Sequence, residues 1–198
     1  MISVYKLKPK FQKFIQPLLS NLRKNGITPN QLTLFSVFFS IGIGFLIGYE
    51  FQHKWFLIIV PIGLLIRMMM NALDGMMARQ FNLQSNTGEI LNELGDVISD
   101  VVIIFPLVFI GGINVYLVLF FVFMTMINEF AGLLGKVVGK ERRYDGPMGK
   151  SDRALFVGIF CLTYYFWPDL SLYSNYVFGL VCVLIIWSTF IRLKKAIE

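Results

Sequence analysis

The sequence is short of charge. Only 15% of its 198 residues are Asp, Glu, Lys or Arg, well below the roughly one quarter usual in soluble domains. Hydrophobic residues make up 56% and the mean hydropathy is +0.67. A soluble globular domain has no way to hide that much apolar surface, so the composition makes a lipid bilayer the natural solvent. Cysteine is nearly absent. Cys161 and Cys182 each lie inside an apolar run, which excludes a disulfide framework or a CxxC pair and leaves two small packing residues. The single histidine, His53, sits in a short turn without companion ligands, so imidazole-centred metal or acid–base chemistry is not expected. The net charge of +6 does not mark a nucleic-acid surface, because the basic residues are scattered between apolar runs.

What is present is a series of apolar segments at about 30–49, 55–78, 94–110, 113–134, 154–167 and 175–193. Most are long enough to cross a hydrocarbon core of ~30 Å at ~1.5 Å per residue. The expected fold is therefore an all-α integral membrane protein, with a six-helix membrane domain over 30–198. Residues 1–29 precede it as a cytosolic or interfacial segment. Here Lys6, Lys8, Lys10, Lys13, Arg23 and Lys24 interleave with Phe11, Phe14, Ile15, Leu18 and Leu19, the pattern of an amphipathic helix lying on the membrane. No small-residue cleavage site follows a short apolar core, so this segment does not read as a signal peptide.

The loops give the orientation. Lys136, Lys140, Arg142, Arg143, Lys150 and Arg153 lie between the fourth and fifth segments, and Arg192, Lys194 and Lys195 near the C-terminal end. The alternate connections carry only Lys54. By the positive-inside rule both termini and the 79–93 and 135–153 loops are expected in the cytosol, in the inner membrane if the source is bacterial.

Acidic residues are few and clustered. The second segment ends Asn71-Ala-Leu-Asp74-Gly75-Met-Met-Ala78-Arg79, and the third opens Gly88-Glu89-Ile-Leu-Asn92-Glu93-Leu-Gly-Asp96, followed by Asp100. Helical spacing puts Asn71, Asp74 and Ala78 on one face, with Arg67 a turn earlier; Glu89, Asn92, Asp96 and Asp100 share a face of the next helix. The short 80–87 connection predicts that these helices run antiparallel with Asp74 facing Asn92 and Asp96. Carboxylates inside a bilayer are costly unless paired, metal-bound or wet. Arg67 and Arg79 are too few to neutralise five of them, so a divalent cation is expected to meet the deficit. Oxygen donors suit Mg²⁺ or Mn²⁺.

This string, N-x2-D-G-x2-A-R-x8-G-x3-N-x3-D, resembles the signature of the CDP-alcohol phosphotransferase family, D-x2-D-G-x2-A-R-x8-G-x3-D-x3-D. The resemblance implies a homodimer of six-helix protomers with an active site open to cytosol and lipid. The implied reaction moves a phosphatidyl group from a CDP-linked lipid such as CDP-diacylglycerol to an alcohol or sugar-phosphate, releasing CMP. Within the family the roles can also reverse, a CDP-linked small alcohol donating to diacylglycerol. Asn71, Asp74, Asn92 and Asp96 occupy the metal positions, and Asp96 is also the base that takes the acceptor proton. Gly75 and Ala78 are small so that the CMP portion can approach, though close helix packing accounts for them equally. Arg79 would contact phosphate. Two asparagines replace two aspartates, which halves the formal negative charge and leaves one or two ions open; Glu89, Glu93 and Asp100 lie near enough to compensate in part. The same replacements admit a non-catalytic CDP-lipid-binding protein.

The 136–153 loop reads either as a phosphate grip or as an ordinary positive-inside loop beside anionic lipid. Its phosphate-gripping form favours an anionic acceptor, with Lys150 and Arg153, at a helix start facing the cavity, as substrate-binding residues. Glu129 is an isolated acid in the fourth segment, open to pairing, acceptor binding or a dimer contact. Thr28 is expected to cap the first membrane helix, Pro29 to begin it, and Asn30 and Thr33 to lie near the nucleotide or serve the cap. A transporter is disfavoured, since the acids gather at one interface and trace no path across the bilayer.

Overall fold

The computed structural model describes residues 8–50 and 52–198. Its elements are α1 (Lys8–Lys24), α2 (Pro29–Gly48), α3 (Phe56–Gln80), α4 (Asn86–Ile104), α5 (Val115–Val137), α6 (Lys150–Phe166) and α7 (Ser174–Ile197), with short 3₁₀ turns at Phe105–Phe109 and Pro168–Tyr173. Lys6, counted above in the basic N-terminal segment, lies outside the described residues, as do the side chains of Lys8, Lys10, Phe11 and Phe14.

Helix starts follow local chemistry. Thr28 accepts from the Gln31 amide while the Gln31 side chain accepts from the Thr28 amide, a full capping box with Pro29 at the first helical position. Ser85 caps α4 by accepting from Gly88 N. This cap starts α4 eight residues before the apolar segment expected at 94, so Glu89 and Asn92 are helical.

Among the described residues, four helices are long and apolar enough to cross a membrane: Pro29–Gly48, Phe56–Gln80, Val115–Val137 and Pro168–Ile197. By the same measure α4 falls short because of Glu89, Glu93, Asp96 and Asp100, and α6 because it has only 17 residues. The outer surface carries Phe35, Phe38, Phe45, Leu65, Phe123, Phe130, Ile159, Leu180 and Phe190, all exposed. The protein is an all-helical integral membrane protein.

Packing divides along the helix axes. At one end Ile43, Ile47, Leu57, Val60, Ile104 and Leu107 form an apolar core. It is continued by an aromatic cluster in which Phe178 meets Phe156 and Phe121 edge-on at 5.3 and 5.9 Å. In lipid such a core is held by close packing more than by water exclusion, and small residues mark the crossings. Gly44 is one: a Cβ there would run into the carbonyl oxygen of Val102 on α4. The other end holds buried Arg67, Asp74, Asp100, Asn128, Glu129, Arg153 and Arg192.

Both α3 and α4 pack extensively on α2, and side chains also join them directly, Asn92 donating to Asp74 at 3.2 Å and Arg67 to Asp100 at 2.9 Å. Gly88 against Asn30 and Gly95 against Val37 and Thr33 are the close approaches that seat α4 on α2.

Candidate active site

At the polar end, α2, α3 and α4 converge on Asp74, which is 3% exposed. Its Oδ2 accepts from Thr33 Oγ1 at 2.8 Å and Asn92 Nδ2 at 3.2 Å, and Oδ1 accepts from the Gly75 amide at 2.5 Å. Three elements thus meet on one carboxylate. One turn away, Asn71 Oδ1 accepts from Ser36 Oγ at 2.7 Å, and Ser36 is itself buried. Among the described residues no lysine or arginine nitrogen lies within ion-pair distance of Asp74. By contrast Glu89, Glu93, Asp96, Asp100 and Glu129 are each paired with one.

A cleft of about 610 Å³ opens over this point, lined by Asn71, Asp74, Gly75, Ala78 and Arg79 of α3, Asn30 and Thr33 of α2, and Gly88, Glu89, Asn92 and Glu93 of α4. Lys136 and Tyr144 also line it. Arg79 is exposed, and its guanidinium lies over Gly75, where a Cβ would stand 3.3 Å from Nη1. Asp96 is not part of this lining; it forms an ion pair with Lys150 beside the cleft.

A second polar cluster lies beside the cleft. Arg153 is 1% exposed; its Nη2 bridges Asp100 and Glu129, each at 2.6 Å, and its Nη1 donates to the Met148 carbonyl at 3.0 Å. Arg67 reaches Asp100 at 2.9 Å. Arg142 Nη2 lies 2.7 Å from both Glu93 and Glu129, with its guanidinium over the Tyr144 ring. Burial by itself would lower the Arg142 pKa, but Glu129, Tyr144 and Glu93 hold it above its ordinary value. Arg192 donates to the Asn128 carbonyl at 2.8 Å and stands 3.6 Å from Glu129. The backbone of the connecting loop is drawn in as well. Gly146 has φ +92°, and a side chain there would collide with Ser188 of α7, whose hydroxyl donates to the Asp145 carbonyl.

The family model described as CDP-alcohol phosphatidyltransferase matches residues 26–189. The chain belongs to that family. It is a CDP-alcohol phosphotransferase of phospholipid biosynthesis. Inner membrane protein YnbA of Escherichia coli (strain K12) is 38% identical over 196 residues, covering 99% of this chain and 97% of that one. Archaetidylinositol phosphate synthase of Pyrococcus horikoshii is 28% identical over 205 residues, covering 98% and 97%. In fold the chain is similar to Mycobacterium tuberculosis phosphatidylinositol phosphate synthase. Its structure with CDP-DAG bound gives a TM-score of 0.73 at 20% identity, covering 93% of this chain and 94% of that one. Its complex with manganese and citrate gives 0.75 at 20% identity, covering 91% and 87%.

Seen as a phosphotransferase of this family, the molecule brings Asn71, Asp74, Gly75, Ala78, Arg79 and Asn92 to one cleft and leaves Asp96 and Lys150 as an ion pair beside it. Two expectations are corrected. Arg153 does not face the cavity; Asp100 and Glu129 enclose it, because a guanidinium this deep needs carboxylates on both edges. Nor do the acids await a metal as a group. The cations missing from α3 arrive from the 136–153 loop and α7, and of the three roles open to Glu129 the structure shows pairing with arginine. Sequence reasoning missed Ser36, and weighed Thr33 only toward the nucleotide or the cap. The signal available was their spacing: Thr33, Ser36 and Ser40 put hydroxyls on one face of an otherwise apolar helix.

Proposed function

We propose that the cleft binds a CDP-linked lipid, with CDP-diacylglycerol as the donor, and that its phosphatidyl group passes to an acceptor hydroxyl as CMP leaves. Gly75 and Ala78 admit the CMP portion against the α3 backbone, and Arg79 contacts its phosphates. Asp96 takes the proton from the acceptor hydroxyl as the acceptor oxygen forms its bond to the lipid-bearing phosphorus. The phosphoanhydride bond breaks and CMP carries off the electron pair. Lys150 pairs with the Asp96 carboxylate and holds it in place. The relative and the solved structure that act on, or hold, related lipids support this reading of the donor.

A divalent cation fits the site in part. Asp74 is a buried carboxylate without a contacting cation among the described residues, an arrangement that favours a bound positive charge. The surrounding donors are all oxygens or amides that suit Mg²⁺ or Mn²⁺. No three Asp, Glu, His or Cys side chains converge among the described residues, so Asn71 and Asn92 would have to complete the set with Asp74 and Asp96. When bound, the ion would offset pyrophosphate charge and stabilise departing CMP. The manganese complex of the structural neighbour supports this assignment.

The same reading takes α4 and α6 as the third and fifth of six spans, with α1 lying in the membrane interface. Ile15 and Leu19 are buried there beside Leu73 and Met77, which supports that placement. The cleft and both termini face the cytosol, the protomer pairs as a homodimer, and in a bacterium the chain resides in the inner membrane.

The observation that carries the proposal is the joining of three helices on Asp74 at the signature. The test is CMP release by the purified protein in liposomes, given CDP-diacylglycerol, Mn²⁺ or Mg²⁺ and a set of alcohols. Release that vanishes in Asp96→Ala supports the proposal; donor binding without turnover under either metal overturns it.

A further inference from the structure

An acceptor that carries a phosphomonoester brings about two negative charges at neutral pH. The cleft must already hold the donor pyrophosphate, so such an acceptor needs cations of its own. The 136–153 segment is the natural source, and the structure shows where its cations go. Lys136 is paired with Glu89, Arg142 with Glu93 and Glu129, Lys150 with Asp96, and Arg153 with Asp100 and Glu129. Lys140 faces a separate apolar groove with Leu134 and Leu193, and Arg143 does not line the cleft.

These pairings are not equivalent to free surface charge. Arg142 and Arg153 are buried against carboxylates that are themselves buried. Drawing either arginine toward a ligand would strand an ionised acid away from water, which costs more than the new contact returns. Lys136 is exposed and more easily moved, but it shares the cleft wall with Glu89 and Glu93. Of the cations that line the cleft, only Arg79 is without an acid within ion-pair distance among the described residues, and the donor claims it. The rest of the lining presents Glu89, Glu93, Tyr144 and Lys136, the last already paired with Glu89, groups that hydrogen-bond hydroxyls and repel phosphate.

We infer that the acceptor is an alcohol without a phosphomonoester. This rests on the phosphatidyl-transfer reading above and specifies its second substrate. Four of the segment's six cations, Lys136, Arg142, Lys150 and Arg153, serve as counter-ions for the protein's own acids, reversing the role that basic composition suggested for them.

The test uses the full chain in liposomes with CDP-diacylglycerol and Mn²⁺, offered glycerol, inositol and ethanolamine, each beside its own phosphomonoester. CMP release and the mass of the lipid product are measured. For whichever skeleton is used, kcat/KM for the unphosphorylated compound should exceed that for its phosphate ester by at least about tenfold, equivalent to about 1.4 kcal/mol. Preference for the phosphate ester overturns the inference while leaving phosphatidyl transfer intact. Absence of CMP release with every compound, under Mn²⁺ and Mg²⁺ alike, overturns both. The double variant Glu89→Gln, Glu93→Gln, which loosens Lys136 and Arg142, should shift the ratio toward the phosphate ester by about tenfold. An unchanged ratio would count against the inference.

Discussion

Two groups of buried polar residues lie side by side in this protein, built from similar parts and satisfied in opposite ways. Around Glu129 and Asp100 every carboxylate faces arginine: Arg67, Arg142, Arg153 and Arg192 converge from α3, the 138–149 loop, α6 and α7. Around Asp74 the described residues supply only a hydroxyl, an amide side chain and a backbone N–H as hydrogen-bond donors. The first group is closed on itself and ties the bundle together. The second is left short of positive charge at the floor of an open cleft, the condition for binding a charged ligand. The contrast teaches that burial of an acid does not mark a functional site; the identity of its counter-charge does.

The largest expected effect falls on the open group. Asp96→Asn should lower CMP release by about 10³-fold, within the range of a lost general base, with the thermal midpoint little changed. Equal loss of both would place Asp96 with the structural group. Asp74→Asn should reduce turnover by about 10²-fold and also weaken Mn²⁺ binding read by electron paramagnetic resonance; unchanged binding would remove Asp74 from the ligand set. In the closed group the order of effects reverses. Glu129→Gln leaves three arginines facing a neutral amide and should cost about 3–5 kcal/mol of stability, seen as a lowered unfolding midpoint in detergent. The smallest effect belongs to Thr33, which touches Asp74 from α2. Thr33→Ala should lower turnover by about tenfold, the scale of one lost hydrogen bond to a charged group, and Thr33→Ser should restore it.

The fold was legible wherever one chemical signal acted alone. Long apolar runs gave the helices, the Thr28–Gln31 box gave the start of α2, and the spacing from Asn71 to Asp96 gave the cleft that Asp74 and Asn92 share. What escaped was set by contacts distant in sequence. The packing of α3 and α4 on α2 depends on which small residues allow close approach, and Gly44, Gly88 and Gly95 look like any other glycines until their neighbours are known. The fate of Arg153 depends on Asp100 and Glu129, 53 and 24 residues away. Counting charges along neighbouring segments could not foresee that the loop would return its cations to the bundle, nor that α4 would begin as early as Ser85 dictates.

The contact between Gly44 and the Val102 carbonyl has a reach well beyond its own position. Thr33 is eleven residues away along α2, roughly 16 Å or three helical turns, so these two crossing points act as fulcrum and working end. A side chain inserted at 44 would pry α4 off α2 at the apolar extremity. The rigid rods would transmit the tilt, and the jaws holding Asn92 against Asp74 would part without any change to either residue.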